Sequence, residues 1–408
     1  MLAALRAYPR AANHLFLAGN LLFLCCFVPP LSLATFFAVS ALLVYIKSFV
    51  PARLSGAYLT AACTILVAML ILYHRAAGIP GAAVPAILTA PLSSLSVTPD
   101  AVRLLSGIGA SYCFLRAVYA LLEPRLSSAD YARYYFFFPT YFSGPVMTPQ
   151  DYLAQAPSFS SDNAVSGLAR MALGAVKIVT SLWLAGVMPL ISQAGMINVI
   201  QMNSAVWAWL YAFAAGVWLF LNFSGFSDLA IGAGRLCNIT VSENFNNPFA
   251  ATDITDFWRR WHMTLAAWLR ACIFTPLVHA LGYRLGMQHV ALFVLPPLIT
   301  MIVCGLWHGF SACYLIWGAL HGAGLVIRHA WKAAVSGRLP QAVTGSPIYV
   351  AAAWLVTHAY IAFAWVFFFP TPTPSLLHSL IYASRMFGIA LYDVDIAIKS
   401  AVSALGLR

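Results

Sequence analysis

Charged side chains are scarce in this sequence of 408 residues. Only 8% of the residues are charged, whereas about a quarter is usual in soluble domains. Hydrophobic residues make up 62% of the chain, so a surface that faces water on all sides cannot be built from it. Most of the chain must face lipid or other apolar protein. We therefore expect a polytopic membrane protein.

Long basic runs are absent as well. The formal net charge is +11, but the Lys and Arg residues stand mostly singly between apolar stretches, a pattern that suits membrane orientation and contact with anionic lipid. A protein that binds nucleic acid would carry a basic run or stripe. We predict that the chain contacts the lipid bilayer and binds no nucleic acid.

Paired cysteines and nucleotide-binding loops are also missing. The eight cysteines lie mostly inside apolar segments and form no CxxC pair, which is typical of small membrane-buried side chains. Cys304, His308 and Cys313 superficially resemble zinc ligands, but their spacing is not that of a paired motif and no fourth ligand is evident, so no metal site is predicted. The absence of Gly-x-Ser-x-Gly, P-loop and Rossmann fingerprints disfavours a serine-centred hydrolase and a nucleotide site.

Apolar stretches of about the twenty residues that a bilayer requires recur along the chain. No internal repeat appears and no linker separates soluble domains, so we predict one all-α membrane domain with roughly 9–12 spans. Three interrupted segments, 78–98, 133–147 and 226–240, are predicted to be re-entrant or to line a pit or tunnel. The nine continuous predicted spans lie near 12–28, 31–50, 56–73, 103–122, 167–191, 204–223, 288–307, 310–331 and 347–369.

The few acidic residues cluster in one part of the chain. Four of the eleven lie within 228–256. There, Thr252 or Asp253 can cap a helix, and Asp256 in its first turn can pair with Arg260 one turn later. An amphipathic helix near the membrane interface is predicted. Its apolar stripe, at spacings of three and four, consists of Trp258, Trp261, Leu265 and Trp268.

Histidines in apolar segments are functional candidates, because an ionisable side chain at membrane depth is expensive. His308 ends a long apolar run between two glycines, and a neutral imidazole there is suited to take a proton from a hydroxyl. The alternative is that His308 only hydrogen-bonds a neighbouring helix. For His321 and His358 packing support is the commoner role, and His262 stands among Arg and Trp residues typical of an interfacial anchor.

A set of motifs occurs in order between residues 136 and 322. They are Phe-Phe-Phe-Pro at 136–139, Ser-Gly-Pro at 143–145, Asn-Phe-Ser-Gly-Phe-Ser-Asp-Leu-Ala-Ile-Gly at 222–232, Glu-Asn-Phe-Asn-Asn-Pro-Phe at 243–249, Asp-Phe-Trp-Arg-Arg-Trp-His at 256–262, Gly-Leu-Trp-His-Gly at 305–309 and Trp-Gly-Ala-Leu-His-Gly at 317–322. Together they resemble the membrane-bound O-acyltransferase (MBOAT) family, in its bacterial branch of AlgI-like and DltB-like proteins. The resemblance covers about residues 100–370.

The resemblance implies a fold and a set of site residues. Transmembrane helices, with re-entrant and interfacial helices, would surround a central tunnel, with N-terminal helices over 1–100, the catalytic core over 101–370 and a C-terminal helix over 371–408. His308 would be catalytic, and His262 would be the second polar residue facing the same tunnel, where it orients donor or acceptor or holds an oxyanion. Expected supporting contacts in the tunnel are His358, His321, Asp228, Asn246, Asp256, Arg259, Trp261 and Trp307.

The implied reaction is acyl transfer across the bacterial cytoplasmic membrane. The donor would be a cytosolic thioester, either acyl carrier phosphopantetheine or acetyl-CoA, and no cofactor would be bound. The acceptor would be a hydroxyl of an extracytoplasmic polymer, reached with an SGNH-type or DltD-like acyltransferase partner. Transfer of acetyl and transfer of D-alanyl both stay open, with His358 and the short chain favouring a DltB-like member. A transporter of an acyl donor and a purely structural partner protein are the alternatives from other classes.

Overall fold

The regular structure of this chain is helical. The computed structural model describes residues 12–389 apart from 28–29, 52–53, 78–98, 124–125, 142, 189–197, 203, 336–337 and 370–375. Within these ranges no residue belongs to a strand, which confirms the predicted all-α class. The predicted segment 78–98 lies outside the described residues.

Six helices of the amino-terminal half coincide with predicted apolar stretches, and the two short helices α5 and α6 match none. They are α1 (Ala12–Phe27), α2 (Pro30–Lys47), α3 (Ser55–Ala77), α4 (Pro99–Leu122), α5 (Ser128–Tyr135), α6 (Pro149–Leu153), α7 (Ser161–Val187) and α8 (Ala205–Leu236).

The carboxy-terminal half contains both short and long helices, among them those that carry the His308 and His321 motifs. Its helices are α9 (Ile254–Arg260), α10 (Met263–Leu269), α11 (Thr275–Leu285), α12 (Ala291–His308), α13 (Ala312–Val335), α14 (Gln341–Thr344), α15 (Pro347–Trp365) and α16 (Leu376–Met386). A π-helical turn, Arg270–Phe274, joins α10 to α11.

The membrane character predicted from composition is confirmed by helix length and apolarity. In the described part of the chain, five helical segments are long and apolar enough to cross a bilayer. Four of them match predicted spans, and the fifth, Met263–Leu285, was not predicted as a span because its first turns carry the polar motif residues. The five are Ser161–Val187, Ala205–Leu236, Met263–Leu285, Ala291–His308 and Pro347–Trp365.

The described residues form two compact units. The first unit is built from residues within 1–176, 223–244 and 263–268, and the second from residues within 177–222, 245–262 and 269–408. All four histidines singled out in the sequence belong to the second unit.

In the first unit, a buried arginine supports a non-helical segment. Arg116 of α4 donates hydrogen bonds to the carbonyl oxygens of Tyr135 at 2.7 Å and Phe137 at 3.3 Å, and to the hydroxyl of Thr140. Irregular backbone is tolerated in an apolar setting only where protein satisfies its polar groups. The segment 133–147 is interrupted by non-helical backbone that Arg116 supports, and the prediction that it is re-entrant or lines a pit or tunnel stays a prediction.

The segment 226–240 is not a re-entrant piece, so that part of the prediction is wrong, whereas its alternative, a segment that lines a pit or tunnel, stays a prediction. Helix α8 runs without a break from Ala205 to Leu236, so this segment continues the predicted span at 204–223. Its Gly and Ser residues would weaken a helix in water, but in an apolar environment water does not compete for the backbone groups and the helix continues.

Candidate active site

Helix α9 begins as its sequence predicts. The Asp253 carboxylate caps it by accepting the backbone N–H groups of Thr255 and Asp256, both at 2.9 Å, and also pairs with Arg328 of α13 at 2.9 Å. Burial raises the pKa of Asp253, but the hydrogen bonds from the Asp256 N–H and from Arg328 outweigh it, so the pKa lies below its usual value. The predicted pair between Asp256 and Arg260 is also present, at 2.9 Å.

The predicted amphipathic helix is not continuous. Helix α9 ends at Arg260 and α10 begins at Met263, with Trp261 and His262 between them. His262 has a φ of +43°, a left-handed conformation that a residue with a Cβ adopts at a cost. The prediction of one helix through the Trp258, Trp261, Leu265 and Trp268 stripe is therefore wrong, although all four of these side chains are buried. The chain therefore changes direction at His262, the residue expected to face the tunnel.

His308 is the last residue of α12, which forms a hairpin with α13. The two helices approach backbone to backbone: a Cβ added at Gly318 of α13 would lie 2.9 Å from the Cα of Ile302 and closer still to the carbonyl oxygen of Met301. Glycine at this position permits the close approach. The hairpin thereby places the end of α12 beside the first turns of α13.

Aromatic rings surround the His308 imidazole, and together with it they form what we call the aromatic cluster. The ring centroid of His308 lies 4.5 Å from that of Trp307, 4.8 Å from Phe368 and 5.4 Å from Trp317. The imidazole is half-buried. Apolar rings disfavour a charged imidazolium, so the arrangement favours the neutral form that is able to accept a proton. The full cluster is Trp258, Trp307, His308, Tyr314, Trp317, His321, Trp365 and Phe368.

Trp307 brings the two predicted catalytic histidines together. Its ring centroid lies 6.5 Å from that of His262 and 4.5 Å from that of His308. His262 is 2% exposed. The left-handed break and the end of α12, which are far apart in the sequence, therefore meet on one indole ring.

His321 occupies the interior of the aromatic cluster and is fully buried. Its Nδ1 accepts a hydrogen bond from Trp258 Nε1 at 3.3 Å. Its ring centroid is 4.7 Å from that of Trp317, and the Trp317 ring also lies 5.4 Å from that of His308.

His358 lies on α15 in a different setting. Its Nε2–H donates to the carbonyl oxygen of Ala251 at 3.2 Å, and its ring lies against Trp354 at 4.9 Å. Two neighbouring side chains of α15 also donate to this segment. Trp354 donates to the Phe249 carbonyl at 2.7 Å, and Thr357 donates to the Thr252 carbonyl at 3.1 Å. In the structure His358 thus fastens the segment that leads into α9, and its predicted contact with the tunnel stays a prediction.

The remaining predicted site residues are held by contacts of their own. Asp228 is buried in the first unit, where it pairs with Arg170 at 2.8 Å. The Asn246 backbone N–H donates to the Arg260 carbonyl at 2.9 Å, and the Arg260 guanidinium donates to the Asn246 carbonyl at 3.3 Å. Arg259 is exposed. Trp261 is buried and stacks on Phe257, with ring centroids 5.4 Å apart.

Sequence reasoning did not assign five residues of the aromatic cluster to the site: Trp258, Tyr314, Trp317, Trp365 and Phe368. Trp317 carried a local signal, since it stands four residues before His321 and therefore on the same helix face. Trp258 was recognised only as part of an interfacial stripe. Phe368 follows α15 and carries no local signal, because its contacts with His308, Tyr314 and Trp317 are made to the distant α12–α13 hairpin.

Comparison with known proteins places these features in a family. The sequence profile of MBOAT, the membrane-bound O-acyltransferase family, matches residues 16–367. A probable alginate O-acetylase AlgI of Pseudomonas aeruginosa is 33% identical over 241 residues, which cover 59% of this chain and 42% of the relative. A peptidoglycan O-acetyltransferase of Helicobacter pylori is 32% identical over 248 residues, covering 59% and 43%.

A third relative carries a different acyl group in its name. A teichoic acid D-alanyltransferase of Streptococcus thermophilus is 28% identical over 247 residues, which cover 56% of this chain and 58% of the relative. The chain spans about half the length of the curated relatives it matches. Since the family match extends over residues 16–367 of 408, this chain belongs to the membrane-bound O-acyltransferase family.

Proposed function

We propose that this chain is an O-acyltransferase of the bacterial cytoplasmic membrane. It takes an acyl group from a cytosolic thioester and passes it to hydroxyl groups of a cell-envelope polymer on the far side. The observation that carries the proposal is the meeting of His262 and His308 on the ring of Trp307, inside an apolar aromatic environment. Membership of the family, and the acyl-transfer names of the relatives, support the same reaction class.

The proposed mechanism uses His308 as the general base. Its neutral imidazole takes the proton of the acceptor hydroxyl while the hydroxyl oxygen attacks the thioester carbonyl carbon. The new carbon–oxygen bond forms, the carbon–sulfur bond breaks, and the proton passes from His308 to the departing thiolate. A positioned base of this kind contributes about 10²–10⁴-fold. His262, aimed by its left-handed backbone, orients the donor or the hydroxyl beside His308.

Acetyl is the first candidate for the transferred group, and D-alanyl is the second. The relatives named for O-acetylation are 30–33% identical to this chain, whereas those named for D-alanyl transfer are 27–28% identical. We propose that the donor is acetyl-CoA or an acyl carrier protein with a phosphopantetheine thioester. An extracytoplasmic acyltransferase of SGNH or DltD-like type would act as the partner.

The test is replacement of His308 by alanine in the bacterium that carries this chain, after deletion of its own copy. Ester-linked acetate and D-alanine are released from the envelope by mild base and measured against the amount of the protein in the membrane. We expect His308→Ala to lose at least about 10²-fold of one of the two esters, and the ester that is lost identifies the acyl group.

A matched control removes a histidine outside the aromatic cluster. His329 of α13 is exposed and stacks on Phe293, so His329→Ala should leave both esters unchanged. Unchanged acetate and D-alanine in His308→Ala, at normal abundance of the protein, would contradict the proposed function.

A further inference from the structure

Two buried N–H donors of the aromatic cluster have no acceptor in the part of the chain that the structure describes. They are His321 Nε2 and Trp317 Nε1. Both side chains are almost completely buried, with 0% and 1% of their surfaces exposed. Buried donors are paired in nearly all native proteins, so each unpaired one requires an explanation.

The hydrogen bond from Trp258 determines which nitrogen of His321 carries the proton. An indole N–H only donates, and Trp258 Nε1 donates to His321 Nδ1. Nδ1 must therefore present its lone pair, which leaves the proton of a neutral imidazole on Nε2. In this arrangement His321 cannot act as a base through Nδ1, and its Nε2–H is a fixed donor.

Trp317 contacts the proposed catalytic base, and His321 contacts Trp317. The ring centroids of Trp317 and His321 are 4.7 Å apart, and that of Trp317 is 5.4 Å from His308. All three residues lie on the α12–α13 hairpin, in the second unit. Attack of the hydroxyl oxygen on the thioester carbonyl carbon, as His308 takes its proton, places negative charge on the carbonyl oxygen of the acyl group.

We propose that His321 Nε2–H and Trp317 Nε1–H donate hydrogen bonds to the carbonyl oxygen of the acyl group during transfer, and that Trp258 keeps His321 in the required tautomer. A carbonyl oxygen has two lone pairs and accepts two donors. Donors that are held in place before the reaction stabilise the developing oxyanion without reorganisation. This inference rests on the proposed function and assigns the acyl oxygen of the same site to these two residues.

The decisive experiment compares two replacements of His321. His321→Phe keeps an aromatic ring of similar size but no N–H, whereas His321→Gln loses the ring but keeps an amide N–H and a carbonyl oxygen. If the residue holds the acyl oxygen, Phe should lose about 10²–10³-fold of the rate of ester formation and Gln should retain most of it. If the residue only fills space, Phe should be the better tolerated of the two, and that order would overturn the proposal.

Trp317→Phe gives a second measurement that does not depend on whether the His321 variants fold. It removes the indole N–H and part of the ring volume but keeps an aromatic ring in the aromatic cluster, and we expect a loss of at least about tenfold in rate at unchanged amount of the protein. Trp331→Phe is the control, because Trp331 is exposed and donates to Tyr349 on the surface. Equal rates for the two Trp→Phe variants would overturn the proposal.

Failure of this inference is distinguishable from failure of the proposed function. His308→Ala could abolish ester formation while His321→Phe and Trp317→Phe form ester at the normal rate. That result would support the proposed function and refute the assignment of the oxyanion donors. If His308→Ala has no effect on ester formation, the proposed function is refuted, and the assignment of the two donors, which rests on it, is refuted as well.

Discussion

Replacement of Gly318 by alanine tests whether the close approach of α12 and α13 sets the geometry of the site. The added methyl would lie 2.9 Å from the Cα of Ile302 and closer to the carbonyl oxygen of Met301. Carbon atoms in good contact are about 3.5–4.0 Å apart, and both neighbours are backbone atoms that cannot rotate away. The two helices must therefore separate by about 1 Å.

This separation has two consequences of different size. Overpacking of a well-packed contact costs about 1–3 kcal/mol of stability, which a large membrane domain tolerates. A shift of about 1 Å in reacting groups lowers the rate by about 10²-fold, because His308 ends one helix while Trp317 and His321 belong to the other. Gly318→Ala should therefore reduce activity far more than it reduces the amount of folded protein.

The assay measures envelope ester per unit of protein, together with the melting temperature of the detergent-solubilised protein. Gly186→Ala is the matched control, since a Cβ at Gly186 of α7 would meet nothing within 4 Å, and such a change is neutral or stabilises by about 0.4–1 kcal/mol. If Gly318→Ala retained the rate and the melting temperature of Gly186→Ala, the reasoning from backbone contact would be refuted.

Two further predictions concern the segment that leads into α9. His358→Leu removes the hydrogen bond to the Ala251 carbonyl and should lower the melting temperature by the equivalent of about 1–3 kcal/mol. The rate of ester formation per folded molecule should stay within about threefold of wild type. A rate loss as large as that of His308→Ala would contradict this and assign His358 a part in the chemistry. Asp253, whose lowered pKa reflects the hydrogen bonds from Asp256 and Arg328, contributes stability that is present above its unfolded pKa of about 3.9 and is lost as the pH falls through its folded pKa. Melting temperatures measured from pH 6 downward should therefore decline more steeply for wild type than for Asp253→Asn, and parallel curves would contradict this.

Features encoded within one or two turns of chain were predictable. The cap at Asp253 and the pair of Asp256 with Arg260 depend on residues two to four positions apart, and both are present. The prediction of a continuous helix through His262 was wrong because it used local spacing alone. The aromatic stripe has helical spacing, but this pattern carries no information about the contacts that hold His262 at a φ of +43°.

The sequence by itself determined the class of molecule, since a chain with 8% charged residues cannot cover a water-facing surface, and its ordered motifs determined the family and the histidines of interest. Only the tertiary structure decided what each histidine touches. Trp258 and His321 are 63 positions apart, and their hydrogen bond, which fixes the tautomer of His321, exists only when the two helices pack. The three histidines have the same side chain, and their contacts distinguish them. His308 and His321 pack in the aromatic cluster, whereas His358 hydrogen-bonds the backbone of the segment before α9.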